Sequence, residues 1–166
     1  MDPDIDFAAL FAQFDTFLMG RVTFDMMVKQ QGSAATPGMK TLVFSRTLHQ
    51  RDHADVTIVA DDVRATLAAL REESGKDIWL FGGGSLFRSL LELEMVDTVE
   101  VAVIPVVLGG GIPLLPAPAA QRKLKLTGHK VFKTGIVLLE YEIAYARPKK
   151  TRTKSRARTS QGRRRS

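Results

Sequence analysis

Residues 78–115, IWLFGGGSLFRSLLELEMVDTVEVAVIPVVLGGGIPLL, carry two glycine triplets, and these constrain the chain more than any other feature. An apolar run, Ile78 to Phe81, stops at Gly82-Gly83-Gly84, and a helix-like segment follows. A β-rich stretch then leads to Gly109-Gly110-Gly111. Glycine lets backbone approach a ligand where a Cβ would collide. A strand that ends in glycines at the mouth of a helix also aims free N–H groups and the positive dipole end at an anion. This chemistry reads as a site for a phosphate-bearing cofactor; the plainer alternative is a pair of turns.

The common nucleotide fingerprints are absent. From Gly82 the sequence runs G-G-G-S-L-F, so Phe87 stands where G-x-G-x-x-G requires its third glycine. No G-x-x-x-x-G-K-[ST] occurs either. A nucleotide bound here is held by something other than a Rossmann turn or a P-loop.

Two more elements join the triplets. Phe17-Leu18-Met19-Gly20-Arg21-Val22-Thr23-Phe24 reads as a strand passing through G-R-x-T into a helix, and Leu42-Val43-Phe44-Ser45-Arg46-Thr47 as a strand ending in Ser-Arg. Together with FGGGSLFRSLL and VDTVEVAVIPVVLGGGIPLL, these four motifs, in order over residues 16–115, resemble the reductase domain at the C-terminus of the bifunctional riboflavin-biosynthesis deaminase-reductases. They also resemble the small stand-alone proteins of the dihydrofolate-reductase superfamily. The resemblance implies an α/β, three-layer dihydrofolate-reductase-like fold, with a mixed, mostly parallel central sheet flanked by helices. It also implies an NADPH-dependent reductase acting on a small heterocyclic or ribosylaminopyrimidine substrate.

Residue by residue, the resemblance implies that Gly20, Arg21 and Thr23 hold the cofactor's pyrophosphate. Their chemistry agrees: first-turn N–H groups, a hydroxyl and a guanidinium suit an anion. Ser45 and Arg46 suit a monoester phosphate, which points to the 2′-phosphate of NADPH. Gly82, Gly83, Gly84, Ser85 and Leu86 are assigned to the phosphates and the nicotinamide side, with a cis peptide joining Gly82 to Gly83. Pro105, Leu108, Gly109 and Gly111 are assigned to the substrate. In dihydrofolate reductases proper an acid opens the first helix, and Asp4 and Asp6, sixteen and fourteen residues before Gly20, fall near that place. Both also read as helix N-caps. A degenerate, nucleotide-binding or scaffold protein of the same fold is the alternative from a different functional class, and a dihydropterin reductase is another.

The resemblance also exposes a gap. Family members carry an N-terminal strand that lies mid-sheet, whereas this sequence opens with Met1-Asp2-Pro3 almost at its first helix. That strand is expected to be missing here, and a start assigned too late would account for it.

The remaining features bound the answer. A chain of 166 residues suggests one domain with a real core. The lack of cysteine excludes disulfides, thiolate catalysis and the zinc signature of the deaminase half. Without a leader or a long apolar run, a cytoplasmic protein that does not span a membrane is expected. The net charge of +6 is uneven: residues 147–166 hold ten Lys or Arg and no acid. Removing those ten from 24 leaves 14 basic residues against 18 acidic ones, so residues 1–146 carry −4. The reductase domain is therefore expected over 1–146. A disordered basic tail is expected over 147–166, where nonspecific polyanion binding would reside. The family implies a homodimer. His49 and His53 share the spacing of a metal pair but lack a third ligand, so no metal site is expected. His129 reads as a lone exposed histidine. Phe7, Leu10, Phe11 and Phe14 fall at helical spacing.

Overall fold

The computed structural model describes residues 5–145. Asp4 and the basic block at 147–166 lie outside the described residues. Asp6 caps the first helix, its Oδ1 accepting the Ala9 N–H at 2.9 Å, and α1 covers Phe7–Phe11. The order is then β1 (Phe14–Gly20), α2 (Arg21–Gln31), β2 (Lys40–Phe44), a 3-10 turn at Gln50–Asp52, β3 (Thr57–Val59), α3 (Val63–Glu72), β4 (Asp77–Gly82) and α4 (Gly84–Glu92). Three further strands follow: β5 (Thr98–Val103), β6 (Lys123–Val131) and β7 (Val137–Ala144).

Helical spacing alone would carry α1 through Phe14, yet Phe14 opens β1. Tertiary pairing overrides the periodicity. The Gln13 carbonyl accepts the Asp77 N–H, and the Phe14 ring packs 4.8 Å from Trp79. A helix continued to Phe14 would forfeit both contacts.

The first four strands form one parallel sheet in the order β3-β2-β1-β4. Its central strand is covered on both faces, so Phe17, Leu18 and Met19 are consecutive and all buried, the pattern of a parallel sheet between helices. Phe17, Met19 and Val43 pack with Phe24 and Met27 of α2 and with Phe11 of α1. Leu18, Leu42 and Val59 pack with Leu67 of α3 and with Leu86 and Leu90 of α4. Helices, sheet and helices make the three layers of an α/β fold.

The last three strands form a separate antiparallel sheet in the order β5-β7-β6. Cross-strand register gathers Val99, Val101 and Val103 beside Tyr141, Leu139 and Val137, and continues through Leu126, His129 and Val131 on β6. Opposite-parity positions carry charge: Glu100 faces Glu140, and Lys125 pairs with Glu142 at 3.2 Å. Tyr145 Oη donates to the Val96 carbonyl at 2.6 Å and ties this sheet to the segment after α4. Among the described residues, β4 and β5 each keep one edge without a partner strand, and the mid-sheet strand that the resemblance implies has no counterpart. Parallel and antiparallel parts are thus hydrogen-bonded as two sheets. No helix among the described residues is long and apolar enough to cross a membrane.

Candidate active site

Three of the motifs meet along one edge of the parallel sheet. Gly20 at the end of β1 lies in register with Phe44 at the end of β2, and Met19 with Gly82 at the end of β4. The G-R-x-T, Ser-Arg and Gly-Gly-Gly elements therefore leave neighbouring strands at their carboxyl ends. From β1 the chain moves through α2 to β2 on one side, and it later returns through α3 to β4 on the other. Such a reversal opens a crevice at the carboxyl ends of the strands, the usual ligand position in an open α/β sheet.

Two helices start at those carboxyl ends. The N-cap of α2 is Gly20 and that of α4 is Gly83, and neither carries a side-chain cap. Their first-turn N–H groups are left for another partner. The two turns are in close contact. A Cβ placed on Gly82 would stand 3.2 Å from Thr23 Oγ1, one on Gly83 would stand 3.4 Å from it, and one on Gly20 would stand 3.9 Å from the Gly83 nitrogen. Glycine at Gly82 is therefore what lets the α2 hydroxyl approach the strand end. The Gly82–Gly83 peptide is cis. Leu86 is buried in the core behind the turn, whereas Ser85 is exposed in the first turn of α4.

The charged members sit at the rim. Arg21 is exposed and pairs with Asp25 one turn on, at 3.3 Å. Ser45 is buried, and its Oγ accepts the N–H groups of Thr47 at 3.2 Å and Leu48 at 3.1 Å. The hydroxyl thus shapes the turn that presents Arg46, which is exposed beside it. Asp6 is placed at the cap of α1, with its carboxylate bonded to Ala9.

Pro105, Leu108, Gly109 and Gly111 lie in the segment between β5 and β6. No atom comes within 4 Å of a Cβ placed on Gly109, Gly110 or Gly111, so this triplet lies in open space rather than against the first. Pro105 lies close to the turn between β6 and β7, with its Cγ 3.4 Å from a Cβ placed on Gly135.

The histidines fall apart as a pair. His49 and His53 flank the 3-10 turn instead of sharing a helix face, and the His53 ring packs edge-on against Phe24 at 5.0 Å. Among the described residues, no three His, Cys, Asp or Glu are grouped to hold a metal ion. A cavity of about 400 Å³ opens at the opposite ends of the strands, where Asp15, Lys40, Glu73 and Lys76 line it. There Lys40 pairs with Glu73, Asp15 accepts the backbone N–H of Lys76, and the Lys76 ammonium donates to the Ala12 carbonyl, so the cavity's polar groups already have partners. The carboxyl ends, by contrast, carry the two helix starts without side-chain caps.

The family of the RibD C-terminal domain matches residues 4–138. The chain belongs to that family. Among curated proteins it is similar to the uncharacterized protein YyaP of Bacillus subtilis (strain 168), at 33% identity over 85% of this chain and 80% of that protein. It is also similar to the uncharacterized protein YwjB of the same organism, at 30% identity over 81% of this chain and 78% of the relative. The fold recurs in a putative riboflavin biosynthesis protein from Shewanella sp. PV-4, with a TM-score of 0.71 and 21% identity over 86% of this chain and 82% of that one. It recurs again in a pyrimidine reductase-like protein from Corynebacterium diphtheriae, with a TM-score of 0.62 and 13% identity over 80% and 77% of the two chains.

Proposed function

We propose that the protein is an NADPH-dependent reductase of a small heterocyclic substrate, similar to the 5-amino-6-(5-phosphoribosylamino)uracil reductase of riboflavin biosynthesis. The observation that carries this reading is the pair of uncapped helix N-termini, Gly20 and Gly83, brought together by Thr23 at the carboxyl ends of β1 and β4. Two neighbouring helix starts without side-chain caps suit a pyrophosphate, which presents two anionic centres close together. Family membership supports the same chemistry.

In this reading the first turns of α2 and α4 bind the pyrophosphate, and the Thr23 hydroxyl bridges them. Arg46, held out by the Ser45 turn, takes the 2′-phosphate. The glycines at Gly82 and Gly83 keep the strand end thin enough for backbone to lie against the cofactor. Bound there, NADPH supplies a hydride for a C=N or C=O carbon of the substrate. What remains for the protein is to hold donor and acceptor carbons close and to exclude water.

The test is fluorescence titration with NADPH, followed by turnover assays on the ribosylaminopyrimidine and on dihydropterins. Wild-type protein should bind NADPH. Gly82→Val should weaken binding by more than about tenfold, because the new side chain meets Thr23 and parts the two turns. Wild-type affinity in that variant would reduce the triplet to a turn, and binding without turnover would leave a nucleotide-binding protein of the same fold. Nonspecific polyanion binding is proposed for the basic block at 147–166; retention on heparin that disappears in a chain ending at residue 146 would bear this out.

A further inference from the structure

The third glycine of the first triplet makes a contact that phosphate binding does not require. A Cβ placed on Gly84 would stand 2.9 Å from Pro116 Cδ, 3.0 Å from the Leu114 carbonyl oxygen and 3.3 Å from that of Pro113. Two of these neighbours are backbone atoms, which cannot swing aside as a flexible side chain would. One turn along α4, Arg88 donates from Nη1 to the Ala117 carbonyl at 3.2 Å. The segment 113–117 is therefore fastened at two points to the first turns of α4. Leu115 and Pro116 are partly buried in this strap.

Upstream of the strap the chain is bare. Val107 is 102% exposed and Ile112 98%, and the second glycine triplet between them is exposed, with nothing within 4 Å of a Cβ placed on any of the three. An apolar loop at 104–112 thus hangs between β5 and a strap seated on the proposed phosphate turn. We propose that Gly84 and Arg88 are positioning residues: they dock residues 113–117 on α4 so that this strap walls the cofactor crevice and fixes the near end of the 104–112 loop beside it. This rests on the proposed cofactor site, but the docking itself stands on the contacts alone. The glycines of the first triplet then divide the work, Gly82 and Gly83 admitting Thr23 while Gly84 admits the strap.

The experiment compares Gly84→Ala, Arg88→Ala and Arg88→Lys with the wild-type chain, by hydrogen exchange over residues 104–117 and by NADPH titration. Without nucleotide, Gly84→Ala and Arg88→Ala should each speed exchange at the strap's own amides, Leu114, Leu115 and Ala117, by about tenfold, the equivalent of one hydrogen bond to a charged donor. Exchange in β1 should stay unchanged. Both should weaken NADPH binding by a similar factor, and Arg88→Lys, which keeps a cationic donor for the Ala117 carbonyl, should restore part of each effect. Unchanged exchange in both alanine variants overturns the docking, whatever the nucleotide does. Faster exchange with wild-type NADPH affinity overturns the strap as a wall of the crevice. A wild-type chain with no affinity for NADPH overturns the cofactor site and the wall together, while exchange still decides the docking. Loss of affinity in Arg88→Ala alone identifies a direct contact between Arg88 and phosphate and overturns the positioning role, because Gly84→Ala changes no charge.

Discussion

The two sheets of this protein carry their apolar side chains in different patterns, consecutive in the parallel sheet and alternating in the antiparallel one, and bury them to different extents. In the parallel sheet, helices cover both faces, and of the buried hydrophobic side chains all but Phe132 and Ile143 lie between residues 17 and 91. In the antiparallel sheet one face is just as apolar in pattern, yet Leu124, Leu126, Val131 and Val103 are about half exposed or more. Pattern therefore specifies which side chains share a face, while the elements packed on that face decide whether they contribute to stability. The proposed chemistry falls on the well-packed half, where helix starts are held by core contacts at Phe24, Leu86 and Leu90. Rigid support is what a crevice needs when it must hold phosphates and reacting carbons in place.

The largest effect should separate the halves by stability. Leu90 is 1% exposed at the centre of the core under α4, whereas Leu126 is 52% exposed on β6. Leu90→Ala should cost about 2–5 kcal/mol through lost burial and the cavity left behind. Leu126→Ala should cost no more than roughly 0.5 kcal/mol, as exposed positions do. Urea denaturation of both variants checks this. Equal losses would mean that the antiparallel face is covered in solution, and the contrast between the halves would fail.

The next effect concerns the ligand edge of the well-packed half. Arg46 follows β2, whose Phe44 is in register with Gly20, and it is exposed beside the buried Ser45 turn. Arg46→Ala should remove most of the preference for NADPH over NADH, by roughly 10- to 100-fold, while leaving the denaturation midpoint unchanged. Titration of both nucleotides decides it. A preference that survives the substitution would move the 2′-phosphate to another cation.

How much of the molecule is legible in its sequence follows the same divide. Elements with local signals are readable: apolar runs ending in glycine mark β1 and β4. The meeting of G-R-x-T with the first triplet follows from the family resemblance, but the Thr23 contact that joins them is spread over some sixty residues of chain and has no local signature. The docking of 113–117 on Gly84 is equally hidden, although the prolines at 113, 116 and 118 mark an ordered path rather than a free loop. Ser45 shows the limit of reading a residue by type. A serine beside an arginine suggests a phosphate ligand, and the structure adds a second role that the residue type does not announce, its oxygen accepting two backbone N–H groups and so shaping the turn. The break between β4 and β5 is not readable from alternation, because a strand's own pattern does not say whether its outer edge is paired.

The smallest effect is electrostatic and should have opposite signs in the two halves. In the parallel half, the Lys76 N–H and the Thr16 hydroxyl hold the Asp15 carboxyl below its ordinary value of 3.8. A depressed carboxyl contributes stability above its unfolded value, and that contribution fades as pH falls through the folded one. In the antiparallel half, partial burial first, and the facing Glu140 second, push Glu100 above its ordinary 4.5. A raised carboxyl favours the folded state only below its unfolded value, and that advantage is lost as pH rises from about 4.5 through the folded value. At neutral pH the ionised pair repels across the strands, so Glu100→Gln should stabilise the protein there and lose its advantage toward pH 4. Glu100 keeps much of its contact with solvent, which limits the gain to a few tenths of a kcal/mol. Denaturation midpoints of wild type and Glu100→Gln between pH 4 and pH 8 measure it. A gain that grew toward acid would mean that the carboxylate is paired with a cation, and the antiparallel half would then resemble the parallel one.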